Sequence, residues 1–140
     1  MSIDNPTRKA ESGLLLFDGS HISYISDDYG RFSVPLHDVA VVGEFTTSEG
    51  PFIDDWFLVF VPRSGDRWFA ASVYADGTSE LLAHLSTILG CALPLALANS
   101  ARRANRIIWP AALADRPLLT SAHRSCSLSV DALSAAERNV

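Results

Sequence analysis

The sequence predicts an α+β domain: an antiparallel, strongly curved sheet or partial barrel of about six strands, packed by one amphipathic helix and covered by a C-terminal segment. Three observations carry this. Between residues 14 and 74, short apolar stretches alternate with tight turn signals, too closely spaced for the long crossovers that parallel strands need. Trp56 to Val61 is apolar at every position, as in a strand covered on both faces. The stretch DGTSELLAHLSTILG then repeats leucine-type residues at helical spacing.

Residues 1–12 mix Pro, Asn, Ser and charges without an apolar period and read as a flexible arm. In LLLFDGSHISYIS two apolar stretches flank Asp18-Gly19, a dipeptide suited to a hairpin turn. After the turn Asp27-Asp28-Tyr29-Gly30, Phe32, Val34 and Leu36 alternate with Arg31, Ser33 and Pro35, giving a strand with one buried face. Pro35 lacks a backbone donor, so this strand lies at an edge or bends there. Val39 to Phe45 continues as a β-branched strand. Trp56 to Val61 follows, then a turn at Arg63-Ser64-Gly65-Asp66 and a return strand from Trp68 to Tyr74.

The helix is expected near 78–89. Thr78 or Asp76 is read as its N-terminal cap, and Gly90 as its left-handed stop. Leu81, Leu82, Leu85, Ile88 and Leu89 form its buried stripe, with His84 half-buried on the flank. Residues 91–118 are assigned as the cover, with a short helix from Pro94 and Trp109 inserted against the sheet. The domain is thus 13–118, and residues 119–140, rich in Ser and Ala, are expected to form a poorly ordered tail.

A chain of 140 residues suits one domain that needs no disulfide or metal to hold it together. No apolar run approaches a membrane span, and the polar N-terminus lacks a signal-peptide core. The cysteines, Cys91 and Cys126, show no zinc spacing. A cytoplasmic protein without cofactor or metal is expected. The net charge of −5 divides into an excess of eight acids over residues 1–100 and an excess of three bases beyond. So acidic a body is a poor match for nucleic acid or an anionic membrane, and neither is expected as a partner.

Asp54 and Asp55 stand before the apolar run. Neighbours on a strand point to opposite faces, so the pair is read as a solvated strand lip rather than a shared metal or proton site. His21, His37, His84 and His123 are dispersed, no Gly-x-Ser-x-Gly elbow is present, and the glycines stand singly at turns, outside any phosphate-binding motif. Trp56, Trp68 and Trp109 interleave with aliphatic residues rather than bases and read as core. Arg102, Arg103 and Arg106 form the basic cluster. On a helix their spacing would place them near one face, as a binding site for an acidic partner or, the favoured reading, as charges neutralising the acidic body.

The segments GRFSVPLHDVAVVGEF, DDWFLVFV and RWFAASVYADGTSELLAHLSTILG, within residues 14–90, resemble the pleckstrin-homology-like (PH-like) superfold of small bacterial domains of unknown function. The resemblance implies a binding or scaffolding role. The basic β1–β2 loop of phosphoinositide-binding members is replaced by Asp18-Gly19-Ser20, so lipid binding does not carry over. The functional expectation is a non-catalytic module that takes a protein or peptide along a sheet edge or in the groove beside the helix. The alternative is a small enzyme whose site assembles Asp54, Asp55, His37 and Arg67. The doubly apolar Trp56–Val61 segment is read as favouring a homodimer that supplies further cover.

Overall fold

The computed structural model describes residues 12–47, 54–65, 67–97, 104–122, 125–129 and 132. The six strands expected between 14 and 74 form, but as parts of two sheets. Strands β1 (Leu14–Phe17), β2 (His21–Ser26) and β3 (Gly30–Pro35) make the first sheet, antiparallel and in that order. Asp18 ties its hairpin turn: Oδ1 accepts the amides of Ser20 at 2.8 Å and His21 at 2.7 Å. These bonds favour the ionised form and hold the Asp18 carboxyl below its ordinary pKa.

A 3₁₀ turn over Leu36–Asp38 leads into β4 (Val39–Thr46), which pairs with β5 (Trp56–Pro62); β6 (Phe69–Ser72) returns alongside β5. The break between sheets has a local cause. Pro35 has no N–H to donate, and the Leu36 amide bonds back to the Ser20 carbonyl at 2.8 Å, so the chain leaves the first sheet instead of folding β4 onto β3. Among the described residues the sheets do not close into a barrel.

Helix α1 spans Thr78–Leu89, where the spacing places it, but its cap differs. Gly77, at φ 91°, is the N-cap; a Cβ there would lie 2.2 Å from the Leu15 carbonyl oxygen. Thr78 instead donates its hydroxyl to the Ala75 carbonyl. Gly90 takes the left-handed stop, its amide bonded to Ser86 O. Leu81 and Leu85 are buried with Leu15, Ile22, Tyr24, Val34, Val42, Leu58 and Phe60 in the first core. Ile88 does not join them and is 53% exposed. The helix turns Thr78, Leu81, Leu85 and Leu89 inward, which leaves Ile88 on the rim beside His84. His84 is exposed as well, its ring meeting Phe17 edge-on.

The C-terminal third departs most from expectation. Residues 92–97 are irregular rather than helical, and β7 (Ala104–Trp109) joins the second sheet next to β4, giving the order β6-β5-β4-β7. Trp109 therefore belongs to the sheet instead of inserting against it. Gly43 in β4 allows this close assembly: a Cβ there would stand 2.7 Å from Leu118 Cδ2 and 2.8 Å from the Arg106 carbonyl oxygen. Within the stretch expected to be a poorly ordered tail, β8 (Leu119–Ala122) and β9 (Ser125–Leu128) pair as an antiparallel hairpin. Leu118, Leu119, Leu128 and Ala132 bury against Ala40, Val41, Val59, Val61 and Ile107 as a second core. The second sheet is thus covered on both faces, as the unbroken apolar run of β5 requires. Among the described residues no helix is long and apolar enough to cross a membrane. Residues 1–11 of the N-terminal arm lie outside the described residues.

Candidate functional site

Among the described residues, one set of polar groups gathers where β5 begins. Asp54 and Asp55 diverge there, as neighbours in extended chain must. Asp54 is not the solvated lip expected: it is only 2% exposed. Its Oδ2 accepts the Ser72 hydroxyl at 2.5 Å, and its backbone amide donates to the Tyr29 hydroxyl at 2.7 Å. Its Oδ1 is buried without a hydrogen-bond partner. Burial pushes the Tyr29 phenol above its ordinary pKa, with the Asp54 charge adding to the effect. Asp55, half-exposed, accepts the Tyr74 hydroxyl on Oδ1 at 2.8 Å. Desolvation and that hydrogen bond push the Tyr74 phenol up to about 12.

Across the sheet, Glu44 is wholly buried on β4. Its Oε1 accepts Trp56 Nε1–H at 2.8 Å and the Leu97 amide at 3.2 Å. Its Oε2 accepts the Ala96 amide at 2.8 Å and Arg106 Nη1–H. Four donors thus converge on one carboxylate, the arrangement a buried charge needs. Arg106 Nε also donates to Asp115 at 2.8 Å. Burial pulls the guanidinium pKa down, but the bonds to Asp115 and Glu44 outweigh it and raise the value above the ordinary one.

The arginine cluster is thereby resolved in part. Arg106 stands on a strand, not a helical face, and its guanidinium is engaged by Glu44 and Asp115 within the chain. Arg102 and Arg103 lie outside the described residues. The four residues of the enzyme alternative are not brought together. Asp55 adjoins Trp56, which pairs with Thr46, whereas His37 adjoins the other end of the ladder, where Val39 pairs with Pro62. Six residues of strand separate those ends, about 20 Å. Arg67 precedes Phe69, which pairs with Phe60, toward the His37 end. Among the described residues no group of three or more His, Cys, Asp or Glu side chains could hold a metal ion. His123 lies outside the described residues, and Cys91 is a half-buried free thiol.

Glu44, Ser72, Trp56 and Tyr74 as polar partners were not singled out from sequence. Glu44 carried a signal: a lone acid inside VAVVGEF, which a buried strand tolerates only when paired. Tyr74 carried none, since its role depends on β6 ending beside Trp56. Comparison with protein-family models, with curated proteins and with solved structures finds no match.

Proposed function

We propose that this chain is a non-catalytic protein- or peptide-binding module of a bacterial cytoplasmic protein, built on a PH-like plan. Two antiparallel sheets followed by an amphipathic helix support the PH-like reading, while β7 and the β8–β9 hairpin lie outside that plan. The observation that carries the binding role is the outer face of the first sheet. The solvated face of such a sheet is ordinarily polar. Here Leu14, Leu16 and Ile25 are 40%, 50% and 48% exposed. Leu14 lies directly across from Ile25, and Leu16 is two residues along on the same face, so the three are contiguous.

The edge of β3 beside this face supports the same reading. The Leu15 amide bonds outward to Asp76 O, so residues 14 and 16 direct their backbone groups to β2. Carried through the register, residues 30, 32 and 34 of β3 face β2, and the N–H and C=O groups of Arg31 and Ser33 face away from the sheet. No described strand pairs with that edge. An extended segment added there would gain main-chain bonds at Arg31 and Ser33, with its outward side chains beside those two residues and one strand removed from Ile25. Because β8 and β9 cover the second face of β5 within the chain, the reading does not rest on a dimer.

The test is a selection from displayed random peptides against wild type and against the variant Leu16→Ser/Ile25→Ser. Sequences that bind wild type alone, and that protect the Arg31 and Ser33 amides from hydrogen exchange, support the module. Enrichment of the same sequences by both proteins contradicts it.

A further inference from the structure

Away from that face, Trp56 and Tyr74 meet with ring centroids 6.2 Å apart and planes at 78°. Perpendicular rings turn their electron-rich faces in different directions, so the two define a corner. Most of the other aromatic contacts serve the two cores, but this pair reaches the surface, with Tyr74 45% exposed. Each ring also hands its polar hydrogen to a carboxylate, Trp56 to Glu44 and Tyr74 to Asp55.

The local charge is unbalanced. Arg106 neutralises Glu44, yet among the described residues neither Asp54 nor Asp55 has an ion-pair partner. Asp54 sits just behind the corner, because Ser72 Oγ accepts the Tyr74 amide at 3.2 Å and donates to Asp54. Asp55 spends one oxygen on Tyr74 and keeps the other for a further donor. Asp55, half-exposed and without an ion-pair partner among the described residues, beside two perpendicular rings makes a site suited to a cation on a carbon frame.

We propose that the Trp56–Tyr74 corner, closed by Asp55, binds the basic side chain of a peptide, a lysine ammonium or arginine guanidinium that stacks on the rings and donates N–H to Asp55. The site is separate from the Leu14–Leu16–Ile25 face, so either reading can fail alone. The experiment follows the Trp56 indole N–H resonance of the ¹⁵N-labelled full chain. Probes are the N-acetyl N-methylamides of lysine, of arginine and of norleucine, the last an uncharged analogue of similar length. The lysine and arginine amides are expected to shift the resonance saturably, and added salt to weaken binding. Norleucine is expected to leave it in place. Tyr74→Ala and Asp55→Asn should each weaken binding roughly tenfold, while Leu16→Ser leaves it unchanged. Norleucine titrating like lysine, both site variants binding like wild type, or an indole resonance that never moves up to the solubility of the amides would each overturn the proposal.

Discussion

Replacing Arg106 with methionine isolates the buried charge of Glu44 and asks what that pair is worth. Glu44 is wholly buried, and the Arg106 side chain is 11% exposed, so neither charge is screened well by solvent. Removing one partner of such a pair ordinarily costs about 3–5 kcal/mol, because the other charge is left in a poorly polarisable interior. Here Trp56, Ala96 and Leu97 still donate to the carboxylate, which places the expected loss at the low end, about 3 kcal/mol. For a chain of this size that lowers the melting temperature by about 10 °C. Methionine keeps most of the aliphatic volume, so the change reports charge more than packing.

Urea unfolding followed by circular dichroism measures the loss, with Glu44→Gln and the double variant completing a cycle. Removing both charges should recover part of the loss, leaving Glu44→Gln/Arg106→Met more stable than Arg106→Met alone. The deficit should also persist at high salt, unlike that of an exposed pair. An Arg106→Met protein within about 0.5 kcal/mol of wild type, or a double variant less stable than the single one, refutes the reasoning.

Three further outcomes follow from the packing and the phenols. Leu85→Ala, at a fully buried helix position, is expected to cost about 2–5 kcal/mol in thermal or urea unfolding. Gly43→Ala must push a methyl group against Leu118 and the Arg106 backbone, at a cost of about 1–3 kcal/mol in the same assays. Tyr74 has its pKa raised in the folded state to about 12, from 10 in the unfolded chain. Its contribution to stability is therefore fully present below pH 10 and is lost as pH rises from 10 towards 12, where the unfolded chain releases a proton that the fold retains. Absorbance at 295 nm should show a late tyrosine ionisation that disappears in Tyr74→Phe; an unchanged titration contradicts the assignment.

What was legible in the sequence follows the reach of each signal. Turn chemistry and local periodicity located β1 to β6 and the helix to within a few residues, because Asp18-Gly19, the alternation around Val34 and the Leu81–Leu85 spacing act over a single turn or strand. Pairing was harder to read. Nothing in ANRIIW distinguishes a strand seated beside β4 from a covering segment, since its place depends on Gly43 clearing room for Leu118. Asp54 misled for a similar reason: its burial is made by Tyr29 and Ser72, 25 and 18 residues away, which no local pattern reports.

The apolar excess of β5 shows how the cover a local pattern demands can come from a stretch whose composition argues against it. Trp56 to Val61 needs partners on both faces, and one helix cannot supply them, which made a second subunit attractive. The missing cover lies in a Ser-rich stretch whose composition argues against order. LTSA and SCSL are weak strand formers alone, but each places a leucine on the face turned to Val59 and Val61. Asn105 fixes the entry to that hairpin, its side-chain oxygen accepting the amides of both Leu118 and Leu119 at 2.8 Å. Ser129 fixes the exit, with its hydroxyl on the Pro117 carbonyl and its amide on Leu118 O. Two polar clamps and a few leucines thus hold a segment that propensity alone would leave in solvent, because the sheet beneath it gains more from cover than the hairpin loses in chain entropy.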